Sequence, residues 1–298
     1  MKEESSQDLI KFTISFEGES SDKHKIDMYD VAQALTGFQR SLSLTIHLIL
    51  NNKIITRSTA LKNAEIYALP PEEGSWKTTA VICTALYSFG TAPQNTLLGH
   101  LVYSAYDYVI SESLGVHVDY NKSIGQIYKE AGGEELPQIR QSQLDSIIEK
   151  CSHSIKEMHR PIYFTHTANS ANIVASFNNK EKKPLQSELT MDTYEYLNDE
   201  RIEKEEKTIL GYISSYNINT FKGRIFVEDE GRGIPFELSA GIKHNATIEI
   251  IVEGLKNNAL KTDKNFTIEC KVNKITSTKG KLKSYIINFI DPNYLKKI

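Results

Sequence analysis

The sequence predicts an α+β protein with two domains: an N-terminal mixed sheet covered by long helices, and a small C-terminal antiparallel β-barrel of the OB or SH3-like kind. The chain of 298 residues exceeds the usual size of a single domain. Within residues 1–177, apolar residues recur at helical spacing in three long stretches. Residues 208–298 instead contain five short alternating stretches separated by turn residues, which is typical of a barrel.

The N-terminal domain, residues 1–177, begins with a predicted strand followed by a long helix. Leu9–Phe16 alternates apolar and polar residues, which indicates a half-buried strand. Asp27 is a suitable N-cap for a helix that continues to about Asn52, and Asp30 adds an acid in its first turn. The apolar residues of this helix share one face: Met28, Val31, Leu35, Phe38, Leu42 and Ile49.

The other elements follow from the same two periodicities. Further strands are predicted at Leu61–Leu69, Ser75–Cys83, Ile162–His166 and Ala171–Phe177. Further helices are predicted at Asn95–Leu114, Asn121–Lys129 and Gln138–Met158. Residues 178–207 are polar and highly charged and include Pro184, so we interpret them as a linker region. The barrel then occupies residues 208–298, with Asn245–Leu260 as an inserted helix.

Charge is distributed unevenly between the two predicted domains. The formal net charge of the whole chain is −3, which excludes a uniformly basic nucleic-acid-binding protein. Residues 1–207 carry a net charge of −8 and residues 208–298 a net charge of +5. Ten lysines fall within Leu255–Ile298, where the net charge is +7. A basic face on the barrel is therefore expected even though the chain is acidic.

Small barrels often bind single-stranded nucleic acid through stacking aromatics and a basic groove. We therefore predict a nucleic-acid-binding face made of Tyr212, Tyr216, Lys222, Arg224, Lys281 and Lys283. The alternative is that the aromatic side chains fill the barrel core and the lysines form a solvated strand edge that discourages aggregation.

A second candidate surface lies in the N-terminal domain, in the segment ALPPEEGSWK. It contains the only tryptophan of the chain and follows two prolines with two acids. We predict partner binding by Glu72, Glu73 and Trp76, since a hairpin tip with an aromatic anchor suits protein recognition. The alternative is a tight turn whose Trp76 packs against the following strand.

No catalytic, metal or cofactor motif is present. Cys83, Cys151 and Cys270 are too far apart for a CxxC metal site, and the sequence lacks a P-loop, GxGxxG, HExxH and GxSxG. The segment VEDEGRGIPFEL resembles the glycine turn of the Bergerat ATP-binding fold, but the asparagine-bearing helix that precedes this turn in that family follows it here, at Glu253–Ala259. We therefore predict no cofactor and no metal.

The leading functional prediction is a non-catalytic binding protein that contacts nucleic acid through the barrel. The alternatives are a nuclease-like effector whose site is assembled from scattered residues, and a protein-binding adaptor with a large exposed apolar patch. The first residues lack the basic and apolar segments of a signal peptide, and no apolar stretch is long enough for a membrane span. We expect a cytoplasmic protein without a membrane partner, and with a protein partner or a homo-oligomer as further possibilities.

Four N-terminal motifs form a recognisable pattern: FTISFEG at Phe12–Gly18, DKHKID at Asp22–Asp27, VAQALTGFQRSL at Val31–Leu42 and EEGSW at Glu72–Trp76. Together they resemble an uncharacterised family of bacterial proteins often encoded near prophages and other mobile elements. The similarity extends to the C-terminal pattern KLKSYIINFID. It implies a bacterial protein that serves in antiviral defence or mobile-element conflict, and it carries over no functional residue.

Overall fold

The chain forms two compact units, Met1–Leu197 and Asn198–Ile298. The computed structural model describes residues 6–69, 76–85, 97–132, 136–177, 181–260 and 267–291. The N-terminal unit combines a sheet with helices and the C-terminal unit is a closed β-barrel, which confirms the predicted α+β class.

The sheet of the N-terminal unit has β1 at its centre. Its strands are β1 (Ser6–Glu17), β2 (Ala64–Leu69), β3 (Trp76–Ala85), β4 (Ser170–Phe177), β5 (Glu181–Pro184) and β6 (Leu189–Thr190). They lie in the order β2-β3-β1-β4-β5, with β6 paired to β4, and all these pairs are antiparallel. Alternate residues of β1 point into the core and are buried: Ile10, Phe12, Ile14 and Phe16.

The described residues of this unit form six α-helices. They are α1 (Met28–Asn51), α2 (Leu97–Ser113), α3 (Tyr120–Glu130), α4 (Gln141–Met158), α5 (Arg160–Tyr163) and α6 (Met191–Asn198). The predicted start of α1 is confirmed, because the Asp27 carboxylate accepts a hydrogen bond from the backbone N–H of Asp30 at 2.9 Å. Tyr106 of α2 joins the layers, since its ring packs on Phe12 and its hydroxyl lies 2.9 Å from Ser41 Oγ of α1.

Helices α1 and α4 come into close contact at Gly37. A Cβ atom added there would lie 2.3 Å from the backbone oxygen of Ser154 on α4. The two helix backbones are therefore in contact at this point, and they can come this close because residue 37 has no side chain.

The predicted strand at Ile162–His166 is wrong. The structure has the short helix α5 at Arg160–Tyr163, and the backbone N–H groups of Tyr163 and Phe164 donate to the carbonyls of His159 and Arg160. Pro161 lies in the first turn of α5, where a missing N–H costs nothing and the fixed φ suits a helix. The chain therefore turns directly from α4 into α5.

His159, at the junction of α4 and α5, is completely buried and held as a neutral imidazole. Its Nδ1–H donates to the Ile155 carbonyl at 2.8 Å, so Nε2 accepts from the Thr193 hydroxyl at 3.0 Å. Burial lowers the pKa of His159 to about 4. His159 therefore binds a proton more tightly in the unfolded chain than in the folded protein. The stability that the folded state gains from neutral His159 is complete above pH 6.5 and is lost as the pH falls towards 4.

Acidification should therefore destabilise the protein through this residue. Between pH 7.5 and pH 4 we expect His159 to remove about 3 kcal/mol of the free energy of unfolding. Urea unfolding across this range, compared with His159→Gln, measures the difference. Parallel pH curves for the two proteins would contradict the assignment, whatever the absolute stability of the variant.

The C-terminal unit is a closed five-stranded barrel. Its strands are β7 (Arg201–Asn217), β8 (Lys222–Val227), β9 (Arg232–Leu238), β10 (Ile268–Thr276) and β11 (Leu282–Ile290), and α7 (Asn245–Leu260) lies between β9 and β10 in sequence. They close in the order β7-β8-β9-β11-β10, with β9 and β11 parallel and the other neighbours antiparallel. Five strands closed in this order with a helix after the third are the arrangement of the OB fold.

Two glycines permit close contact between the backbones of β7 and β8. The first half of β7 pairs with β10 and the second half with β8. A Cβ at Gly223 would lie 2.2 Å from the Ser215 oxygen, and one at Gly211 would lie 2.3 Å from the Phe226 oxygen. Both glycines are therefore required for close contact between backbones.

Residues 178–207, predicted as a linker region, contain regular structure where they are described. Strands β5 and β6 pair with β4 of the N-terminal unit, whereas β7 already begins at Arg201. Asp107 of α2 holds the segment after β5 by accepting hydrogen bonds from the backbone and side chain of Gln186, both at 2.8 Å. Within the described ranges, no helix combines the length and apolar composition needed to cross a bilayer.

Candidate nucleic-acid interface on the C-terminal barrel

An aromatic pair occupies the outer surface of β7 and β8. Ile225 and Val227 point into the barrel core, so by alternation Lys222, Arg224 and Phe226 point outward. Tyr212 of β7 lies directly opposite Phe226, and the two rings stack with centroids 4.9 Å apart and planes 14° apart. Tyr212, one of the predicted binding residues, therefore lies beside Phe226, which is not among the six residues predicted to bind nucleic acid.

The position next to Phe226 on the neighbouring strand is a glycine. Gly233 of β9 pairs with Phe226, so the residue directly opposite Phe226 on β9 contributes no side chain. A Cβ there would meet the Ser214 and Arg224 side chains at 3.8 and 4.0 Å, which is ordinary contact. Tyr212, Phe226 and Gly233 therefore form a row across three strands; we call its outer surface the stacking face.

Arg224 contributes a fixed positive charge beside the stacking face. Arg224 is only 2% exposed, and its Nη1 donates a hydrogen bond to the Gly233 carbonyl at 3.2 Å. Its own carbonyl accepts from the Ser214 hydroxyl at 3.3 Å. The guanidinium is thus held against β9, next to the row of rings.

Tyr216 lies away from the stacking face. Its ring is parallel to that of Phe236 at 6.3 Å and packs against the barrel core. Its buried hydroxyl has no hydrogen-bond partner among the described residues, and burial raises its pKa. Burial, and secondly the charge of Glu228, also raises the pKa of Tyr212.

The two predicted lysines of the β10–β11 hairpin have different surroundings. Lys281 lies near Arg232, and its pKa is lowered first by burial and then by that second cation. Arg232 is fixed at the start of β9 by a hydrogen bond from Nη2 to the Leu282 carbonyl at 3.2 Å. Lys283 instead forms an ion pair with Glu200 at 2.9 Å. Sequence reasoning missed Gly233, which only strand pairing places beside Phe226. It also missed Arg232, because only the folded barrel brings Arg232 to Leu282.

The lysine-rich segment does not form a uniformly basic face. Lys274 pairs with Glu230 at 3.6 Å and Lys256 with Glu253 at 3.3 Å. Three consecutive acids, Glu228–Glu230, form the turn between β8 and β9. Electrostatic attraction of a polyanion therefore depends on the few cations close to the stacking face.

The second predicted surface is described only in part. Glu72 and Glu73 lie outside the described residues. Trp76 begins β3, where its ring meets that of Phe16 edge-on at 5.9 Å and packs against the core of the N-terminal unit. This is the packing that the alternative interpretation of the segment expects.

Two of the three cysteines are buried and poorly nucleophilic. Burial raises the pKa of Cys151 and of Cys270 to about 12, so both thiols are protonated and weakly nucleophilic at neutral pH. In the part of the chain that the structure describes, no three histidine, cysteine, aspartate or glutamate residues are grouped to hold a metal ion.

Two family models match the chain, and their boundaries agree with the division into two compact units. Residues 12–198 match the family model described as Domain of unknown function (DUF7946), and residues 205–289 match the model described as Family of unknown function (DUF7947). No curated protein and no solved structure matches the chain. The two matches correspond closely to the two compact units.

Proposed function

We propose that this chain, which belongs to the family described as Domain of unknown function (DUF7946), is a non-catalytic binding protein whose barrel binds single-stranded nucleic acid. The proposal includes a setting in a bacterial cytoplasm and a role in phage or mobile-element conflict. That setting rests on the resemblance of the N-terminal motifs, and the binding activity rests on the barrel itself.

The stacking face is the observation that supports nucleic-acid binding best. OB folds bind oligonucleotides across the outer surface of their second and third strands, which are β8 and β9 here. Tyr212 and Phe226 present two stacked rings on the outer surface of β7 and β8, and a base can stack on an aromatic ring of this kind. Stacking of this kind contributes about 1–3 kcal/mol per base and tolerates any sequence.

The cations near the stacking face suit the phosphates of a short single strand. Lys222 and Arg224 lie on β8, and Arg232 and Lys281 lie together near the β10–β11 hairpin. Because Arg224 is almost completely buried, Lys222, Arg232 and Lys281 are the three cations that can reach phosphates. Three phosphate contacts on a single strand predict a slope of about −2 in a plot of log affinity against log salt concentration. The acids at Glu228–Glu230 limit the footprint at the β8–β9 turn.

A binding measurement tests the proposal directly. Fluorescence anisotropy of labelled single-stranded DNA and RNA should show binding at low salt that weakens as salt rises. Because each lost stacking contact removes about 1–3 kcal/mol, Tyr212→Ala should weaken binding roughly tenfold or more. Phe226→Leu should weaken it as well, since leucine keeps the bulk of the side chain and removes the ring.

Phe289 provides a matched control. It is an exposed aromatic on β11 with the Lys271 ammonium 5.9 Å above its ring. Phe289 pairs with Lys271 of β10 and lies on neither β8 nor β9. Phe289→Leu should therefore leave the affinity for nucleic acid unchanged. Equal losses in Phe289→Leu and Phe226→Leu, or no binding of either nucleic acid at low salt, would overturn the proposal.

A further inference from the structure

The N-terminal unit exposes a cluster of aromatic side chains at one end. Among its described residues six large apolar side chains are exposed, and four of them are Met28, Tyr29, Tyr163 and Phe164, with exposed fractions between 43% and 86%. They come from the start of α1 and from α5 with the residue after it. We call these four residues, together with Arg160 and Tyr194, the Arg160 patch.

The Arg160 patch is held in place by ring contacts and ion pairs. The Arg160 guanidinium carbon lies 5.1 Å from the Tyr29 ring centre and 4.6 Å from that of Phe164. Its Nε donates to Asp30 at 2.9 Å, which fixes the guanidinium between the two rings. The rings of Tyr163 and Tyr194 stack at 3.9 Å, which joins α5 to α6. A surface that is ordered before binding loses little side-chain entropy when a partner docks.

Three chain segments meet at this end and make it acidic. The backbone N–H of Ser21 donates to the Thr167 carbonyl at 2.9 Å, and the Tyr163–Tyr194 stack connects the third segment. Residues 18–30, 153–169 and 188–198 together contain eight acidic and four basic residues, a net charge of −4. One of the four cations, Arg160, is already engaged by Asp30 and Glu157.

Aromatic rings surrounded by acids suit a cationic partner. An ammonium or guanidinium group is attracted to the face of an aromatic ring, and more strongly where water is partly excluded. Arg160 demonstrates the geometry within the chain itself, because its guanidinium lies between two rings and between two carboxylates. The same net charge repels a nucleic-acid backbone, so this surface differs in kind from the stacking face.

We propose that the Arg160 patch docks an arginine- or lysine-rich segment of a partner protein. The partner's cations lie on the exposed faces of Tyr29, Tyr163 and Phe164 and are neutralised by the acids around the patch. Its aliphatic side chains cover Met28. This surface gives the chain a second binding activity, and its occupancy is independent of whether the barrel binds nucleic acid.

Peptide binding to the full chain tests the inference. The probes are three fluorescein-labelled peptides of equal length, in which leucine alternates with arginine, glutamine or glutamate. We expect the arginine peptide to bind and the other two not to bind at physiological salt. Phe164→Ala and Tyr163→Ala should each weaken binding by about fivefold to tenfold, because each removes a ring that a cation contacts.

Two control variants distinguish binding by the rings of the Arg160 patch from attraction of the peptide to an acidic protein in general. Tyr67→Ala removes an aromatic side chain that is 50% exposed on β2 of the same unit, and it should leave affinity unchanged. Asp192→Asn, on the exposed side of α6, should weaken binding without touching a ring. Thermal unfolding of each variant confirms that the unit remains folded.

Other outcomes overturn the inference. Absence of arginine-peptide binding, equal binding of the glutamine peptide, or equal losses in Tyr67→Ala and Phe164→Ala would each do so. The patch could instead be covered by a second copy of this chain, and sedimentation velocity over a concentration series would detect that self-association. Self-association that disappears in Phe164→Ala would assign the patch to a homodimer instead.

Discussion

Gly37→Ala is expected to lower the free energy of unfolding of the N-terminal unit by about 3 kcal/mol, although alanine favours a helix more than glycine does. The new Cβ would lie 2.3 Å from the Ser154 oxygen and 3.3 Å from the Met158 side chain. The first of these atoms belongs to the backbone of α4 and cannot rotate away. The two helices would have to separate, which would open the core along their whole line of contact.

Gly125→Ala is the matched control, because Gly125 also lies inside a helix. A Cβ there would meet its nearest neighbours at 3.6 and 3.7 Å, which is ordinary van der Waals contact. With no clash, the helix propensity of alanine should raise stability by about 1 kcal/mol. Denaturant unfolding of both variants gives effects of opposite sign if the Gly37 contact limits helix packing. Similar effects from both would show that α1 and α4 adjust freely.

Arg160→Ala should destabilise the same unit by about 3 kcal/mol, because it leaves a buried carboxylate without its counter-charge. Asp30 is 1% exposed, and its Oδ1 accepts the Arg160 Nε–H at 2.9 Å. Its Oδ2 has no hydrogen-bond partner among the described residues, so the remaining stabilisation of this carboxylate depends on Arg160. The hydrogen bond to Asp30 also raises the pKa of Arg160.

Two variants distinguish this explanation from general loss of packing. Glu157→Gln removes a more exposed partner of the same guanidinium, 3.5 Å away, and should cost less than about 1 kcal/mol. The double variant Asp30→Asn with Arg160→Ala should be more stable than Arg160→Ala alone, since it no longer buries an unpaired charge. If the double variant is instead the less stable of the two, the contribution of Arg160 is packing between Tyr29 and Phe164.

Local sequence signals determined most of the secondary structure. The N-cap at Asp27, the apolar period of α1 and the alternation of the barrel strands each act within a few residues, so they can be recognised without knowledge of the fold. The prediction at Ile162–His166 failed for an equally local reason. Its apolar and β-prone residues indicate a strand, while Pro161 and the hydrogen bonds to His159 and Arg160 start a helix.

The candidate surfaces depended on contacts between distant residues. The sequence alone supplied Tyr212, Lys222 and Arg224, but the stacking of Tyr212 on Phe226 and the place of Gly233 beside it follow from strand register. The hydrogen bond from Arg232 to the Leu282 carbonyl places Arg232 near Lys281, and Tyr216 packs against the barrel core. Alternation along one strand cannot tell which residues of another strand will be its neighbours.

The Arg160 patch shows the same division most clearly. The sequence by itself determined the class of the fold, the barrel with its inserted helix, the charge difference between the two parts and the helix that carries Tyr29. Only the tertiary structure decided that Tyr29 and Asp30 would meet Arg160, 130 residues later in the chain, and that Tyr194 would stack on Tyr163. Propensities and caps act over one or two turns of chain, whereas a binding surface forms where packing of the core brings separate segments together.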